Sequence, residues 1–169
     1  QTENPAKTLE ELFVRLVERY EDRQKRPSRE DGDVWRVFKK ELETRHVLAH
    51  LRPKRIIAQD YDYEFEHSWK NHRWHVYEPM SFDLLEADSI QDKANRWLGR
   101  VVTLQDSPDK FKLHILLGEP SLDKLQPAYV KAENILNKMP GEKVFVRERE
   151  AESFSVALAD EMAAHTEQE

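Results

Sequence analysis

The chain has 169 residues and a formal net charge of −6, with 36% charged and 38% hydrophobic residues. That length allows about two thirds of the unfolded surface to be buried, while a mean hydropathy of −0.85 leaves little apolar material beyond one core. The absence of Cys excludes disulfide scaffolds, thiol nucleophiles and cysteine metal sites, and only four Gly exclude Gly-rich phosphate loops.

The first predicted element is an amphipathic helix in which Leu9, Leu12, Phe13, Leu16, Val17 and Tyr20 recur at helical spacing behind a Thr8 and Glu11 capping box. Residues 23–33, with Pro27, Ser28 and Gly32, read as a polar loop. Asp33 is placed to cap a second helix carrying Val34, Val37, Phe38, Leu42, Leu48 and Leu51, predicted to run to Arg52, where Pro53 stops it.

Residues 60–70 then alternate as a strand does. Tyr61, Tyr63, Phe65, His67 and Trp69 fall on one face, and Asp60, Asp62, Glu64, Glu66, Ser68 and Lys70 on the other. Asn71 and His72 read as a two-residue turn that sets Trp69 opposite Trp74 and Lys70 opposite Arg73. Trp74, Val76, Met80 and Phe82 continue the apolar face, and Pro79 confines their strand to an edge or a bulge.

Helical spacing returns with Ile90, Ala94, Trp97, Leu98 and Val101, opened by Asp88 and Gln91 as a capping box. An apolar strand at 111–117, a helix over 121–139, a short strand at 143–146 and a last helix bearing Phe154, Ala157, Leu158 and Met162 complete the chain. The predicted fold is α/β, an α+β mixed sheet in the order α-α-β-β-β-α-β-α-β-α, with strand-helix-strand units that make neighbouring strands parallel. We expect 1–169 to be a single such domain, cytoplasmic and without membrane attachment. Since it begins with Gln, it is expected to be the C-terminal part of a longer protein.

From Asp33 to Gly118 the order of elements resembles the restriction-endonuclease-like core of the PD-(D/E)XK nucleases, to which the chain adds α-β-α. The resemblance implies carboxylates and a lysine gathered on one sheet to hold Mg²⁺ at a phosphodiester. It also implies an acid two positions before a lysine, and no Asp or Glu in this chain has Lys at that spacing. The substitute on offer is the polar face of the 60–70 strand. A divergent nuclease would use Asp62, Glu64, Glu66 and Lys70, with Asp62, Glu64, Glu66 and Asp83 as oxygen ligands for Mg²⁺ or Mn²⁺. The ordinary reading of that face is a solvated strand whose charges prevent edge pairing. His46 and His50 have the spacing of zinc ligands, but Val47 stands where a metalloprotease has Glu, so they read as helix surface.

Charge is unevenly distributed. The segment from Arg19 to Arg55 carries twelve Lys or Arg against seven acids, a net of +5, and the remainder of the chain is therefore −11. Arg36, Lys39, Lys40, Arg45, Arg52, Lys54 and Arg55 are the residues expected to lie along a phosphate backbone.

The runs Trp69 to His75, Tyr77 to Leu84 and Ile90 to Ala94 with Trp97, preceded by the helix at Leu9 to Val17, resemble the C-terminal region of an uncharacterised bacterial family catalogued as domain of unknown function 3037. The resemblance implies a bacterial or phage protein and supplies no catalytic signature. The leading expectation is thus a non-catalytic module that contacts DNA, RNA or a protein partner through the basic 19–55 segment and the Trp-rich hairpin. The alternatives are the divergent nuclease and an assembly domain, homo-oligomeric or hetero-oligomeric, with the hairpin as its interface.

Overall fold

The structure is a computed structural model that describes residues 10, 11, 13–15 and 28–168. Most of the first predicted helix lies outside those residues. The described part is helical, and Phe13, expected on its buried face, is 68% exposed and belongs to neither hydrophobic cluster.

The remaining elements follow the expected order: α1 (Asp31–Thr44), β1 (Arg52–Ile57), β2 (Asp62–Lys70), β3 (Trp74–Ser81), α2 (Ala87–Leu104), β4 (Phe111–Gly118), α3 (Gln126–Asn137), β5 (Glu142–Arg147) and α4 (Ala151–Glu167). The five strands form one mixed sheet in the order β1-β2-β3-β4-β5. β1, β2 and β3 are antiparallel neighbours, whereas β3, β4 and β5 run parallel. Two apolar clusters sandwich the sheet. Ile90, Ala94, Trp97 and Val101 of α2 join Ala132 and Leu136 of α3 on one face, and Val34, Phe38 and Leu42 of α1 join Leu158 and Met162 of α4 on the other. Gly118 at the end of β4 admits α1 closely, since a Cβ there would meet Val34 Cγ2 at 2.5 Å.

The second helix is shorter than its sequence predicts. It opens with a capping box between Glu30 and Asp33 and ends at Thr44, so Asp33 is the third helical residue rather than the cap. His46 takes a positive φ of 59°, its N–H bonds to Glu43 O, and the Val47 N–H bonds back to Leu42 O. This pair of bonds is a Schellman stop, completed by burial of Val47 beside Leu42. The apolar residues at 48 and 51 therefore belong to a short turn, and Arg52–Ile57 is an edge strand in which Pro53 needs no ladder partner.

β2 hides an irregularity behind its regular alternation. Arg52 pairs with Ser68, yet Lys54 pairs with Phe65, so Glu66 and His67 together oppose Pro53. This is a β-bulge, which reverses the faces of the strand. Tyr63 and Phe65 pack toward α2, whereas Trp69 packs toward α1 and α4. The hairpin also differs from its predicted register by one residue. Lys70 faces Trp74 and Trp69 faces His75, with Asn71, His72 and Arg73 in the connection. A two-residue turn of the favoured hairpin kinds needs positive φ at one or both positions, and neither Asn71 nor His72 adopts it. The chain instead closes three residues through Asn71, whose Oδ1 accepts from the Arg73 N–H.

Candidate functional site

The bulge sets the first candidate site. β2 and β3 are paired only from His67 to Lys70 against Trp74 to Tyr77, and beyond that point the strands separate. The fork opens a groove of about 280 Å³ lined by Glu64, Glu66 and His67 of β2, Glu78 and Pro79 of β3, and Asp31, Gly32 and Trp35 of α1. Trp35 stacks on His67 with ring centroids 3.6 Å apart. Pro79 has no N–H to offer the missing strand. The Ser81 N–H finds its acceptor in Asp31 Oδ1 at 2.7 Å.

Glu78 is the chemically unusual group. Burial first, and then the neighbouring Asp31 carboxylate, push its carboxyl up to about 8, against the opposing pull of Arg100. The Tyr63 hydroxyl donates to Glu78 Oε1 at 3.4 Å. Lys93, from α2, closes the end of the fork. Its ammonium donates to Asp31 Oδ1 at 2.5 Å and to the Ser81 carbonyl at 2.7 Å. Asp31, Trp35, Glu78 and Lys93 were not among the residues predicted to act. Glu78 was nonetheless visible, as the one charged residue in the alternating row Trp74, Val76, Glu78, Met80.

The residues proposed for a nuclease are not brought together. Glu64 and Glu66 line the groove, but Asp62 faces Arg55 at 3.9 Å, and Asp83 accepts hydrogen bonds from the Ser121 N–H and hydroxyl. Lys70 lies past the bulge, six residues along β2 from Glu64, or about 20 Å at a strand's rise. Among the described residues no three Asp, Glu or His side chains are grouped to hold a metal ion. The Lys93 ammonium already sits between Asp31 and a backbone carbonyl, the oxygen pair a cation would seek there. The donor set therefore does not fit Mg²⁺ or Mn²⁺.

The basic residues expected to contact phosphate divide into two groups, with Arg55 outside both, on the opposite face of β1 from Lys54 and 3.9 Å from Asp62. On α1, Arg36 lies 3.2 Å from Asp33, Lys39 4.0 Å from Glu43 and Arg45 3.8 Å from Glu152, and Lys40 shares this exposed row. These are i,i+3 and i,i+4 pairs and a cross-helix pair of a solvated face.

A different patch forms where β1, β2 and β3 meet at the far end from the fork. Here the one-residue shift of register sets Lys70 against Trp74 instead of Arg73. The Lys54 ammonium stands 4.5 Å from the centre of the half-buried Trp74 ring, and that of Lys70 5.4 Å from it. Arg52 follows on the same face of β1 by strand alternation and is exposed. Asp109, 3.0 Å from Lys54, supplies a counter-charge. Trp69, the other tryptophan of the hairpin, is buried, and its Nε1 donates to the Tyr77 hydroxyl at 2.8 Å.

No described helix is long and apolar enough to cross a membrane. No protein-family model, no curated protein and no solved structure matches this chain.

Proposed function

We propose that this chain is a binding module for single-stranded nucleic acid, and that it reads its ligand through Trp74 flanked by Lys54, Lys70 and Arg52. The observation that carries this reading is the placement of two ammonium groups, from two neighbouring strands, over one half-buried indole. A strand of nucleic acid presents the matching pair of groups: a phosphate for each ammonium and an unstacked base for the ring. A duplex offers the phosphates without the free base face, and an acidic protein offers carboxylates without it. The absence of an acid two residues before any lysine, and the Lys93 ammonium held against Asp31, support a restriction-endonuclease-like core turned to binding rather than cleavage.

Fluorescence anisotropy with labelled single strands and duplexes, titrated across salt concentration, tests this directly. Binding should favour single strands and weaken with salt at about 0.7 in the logarithmic slope per phosphate engaged. Lys54→Ala with Lys70→Ala should reduce that slope by about 1.4. No association at low salt, or binding unaffected by these substitutions, would sink the reading, and preference for an acidic protein would replace it.

A further inference from the structure

A second cluster of polar groups lies on the α4 side of the sheet, across it from the Trp74 patch and separate from the fork. His75 of β3 is buried, and so is His114 of the neighbouring strand β4. His75 Nδ1 and His114 Nε2 are 3.0 Å apart, and His75 Nε2 lies 3.1 Å from Asn71 Oδ1 in the hairpin connection. The direction of this chain of contacts is fixed from its outer end. Asn71 Oδ1 also accepts the Arg73 backbone N–H, and Asn71 Nδ2 donates to Glu161 of α4 at 3.5 Å. The amide can therefore be oriented only one way, and His75 Nε2 must carry a hydrogen.

It follows that a neutral His75 has its lone pair on Nδ1, and that His114 must donate to it through Nε2–H. All donors then point outward in one sequence, from His114 to His75 to Asn71. An incoming proton can enter at His75 Nδ1, an atom that already faces an N–H, or at His114 Nδ1, where burial pushes the imidazole down to about 3 and so leaves His75 as the ring that titrates first. Protonation of His75 thus requires His114 to move its own hydrogen from Nε2 to Nδ1. It also leaves a cation stacked on the Trp69 indole, with ring centroids 5.3 Å apart.

We propose that His114, His75 and Asn71 form a proton-operated latch, which holds the hairpin connection against α4 while both imidazoles are neutral and loosens that junction when His75 is protonated. Two further imidazoles stand at this junction, His72 of the connection and His165 of α4, whose rings meet edge to face with centroids 6.4 Å apart, and the charged groups around His75 divide in sign. Glu161 of α4 and Glu142 of β5 favour its cation, whereas Arg73 of the connection and Lys112 of β4 oppose it. Burial outweighs all four and lowers the affinity of His75 for the proton, and for His114 burial acts in the same direction. The latch is therefore closed at neutral pH and opens on the acid side. Glu161, which holds Asn71 in the closed state, is the group toward which a cationic His75 turns, since its Oε1 is already 4.0 Å from His75 Nε2. The cation therefore competes with Asn71 for the one oxygen that seats the hairpin connection on α4.

Amide hydrogen exchange, corrected for the intrinsic effect of pH, locates such an event. Between pH 7.5 and 5.5 the wild-type chain should exchange about tenfold faster in residues 69–75 and in the C-terminal half of α4, with α2 and α3 unchanged. In His75→Gln, a side chain that still donates to Asn71 and accepts from His114 but does not titrate, the step should vanish. Imidazole ¹⁵N shifts of the wild-type chain give a readout independent of the variant's folding: at pH 7.5 both rings should be protonated on Nε2 alone. A His114 ring protonated on Nδ1 at that pH, a step that persists in His75→Gln, or acceleration spread over the whole sheet overturns the proposal.

Discussion

The Lys93 ammonium donates to Asp31 Oδ1 at 2.5 Å, and so ties α2, on one face of the sheet, to the first turn of α1 on the other. The lysine is buried, and it also satisfies the Ser81 carbonyl, which has lost its strand partner at the fork. Removing it leaves a carboxylate and a carbonyl facing a hole. Lys93→Met should therefore cost about 2–4 kcal/mol, measured by urea denaturation, somewhat less than a fully buried pair because Asp31 is partly exposed. Asp31→Asn keeps an oxygen for Lys93 and should cost less. A double-mutant cycle should return a coupling of about 1–3 kcal/mol.

The two tryptophans of the hairpin should separate into different roles. Trp69 is buried, stacked on His75 and hydrogen-bonded to Tyr77, whereas Trp74 is half-buried beneath two lysines. Trp69→Phe should lose the bond to Tyr77 and destabilise the fold, and Trp69→Ala should cost about 3–5 kcal/mol. Trp74→Ala should shift stability far less, yet weaken binding of single strands by about 1–3 kcal/mol. Thermal unfolding and anisotropy on the same two variants check this, and equal loss of stability in both would contradict it.

The order of elements was legible because each carries its own period, and the apolar stripes of α1, α2 and α3 name most of the core. What escaped were events of one residue. The alternation from Tyr61 to Trp69 is unbroken in sequence, and only the partner strand, with Pro53 lacking an N–H, shows that Glu66 and His67 share one place in the ladder. The hairpin register slipped for a similar reason, since a connection without Gly reads equally as two residues or three. Because the bulge opens the groove and the register sets Lys70 on Trp74, the sites were less legible than the fold. Lys93 and Asp31 stand 62 residues apart, and nothing local announces their meeting.

The end of α1 gives a direct test of one such event. His46 occupies the left-handed region at a φ of 59°, where a side chain costs about 1–2 kcal/mol and glycine almost nothing. The Schellman bonds from His46 and Val47 hold it there. His46→Gly should leave stability unchanged or raise it by up to about 1 kcal/mol, once the freedom of glycine in the unfolded chain is counted. His46→Val should cost about 1–2 kcal/mol, because a branched side chain tolerates that backbone least. The chemical denaturation midpoint of His46→Val should therefore fall below that of the wild type, and that of His46→Gly should stay level with it or rise.

Glu78 makes stability fall as pH rises, opposite to the usual carboxylate. Its carboxyl ionises at about 8 in the folded chain because it is buried and faces Asp31, against an ordinary value of 4.5. Between those limits the folded state holds a proton that the unfolded state has released, so each pH unit favours unfolding by up to about 1.4 kcal/mol. The stabilising contribution is complete below pH 4.5 and lost by the time pH passes 8. Glu78→Gln fixes the side chain in its neutral form and keeps an oxygen to accept from Tyr63. The variant should match the wild type near pH 4.5, and by pH 8 it should be more stable by an amount on the order of a few kcal/mol. Parallel denaturation curves across that range decide the matter: a difference that does not grow with pH would show that Glu78 is ionised in the folded chain throughout.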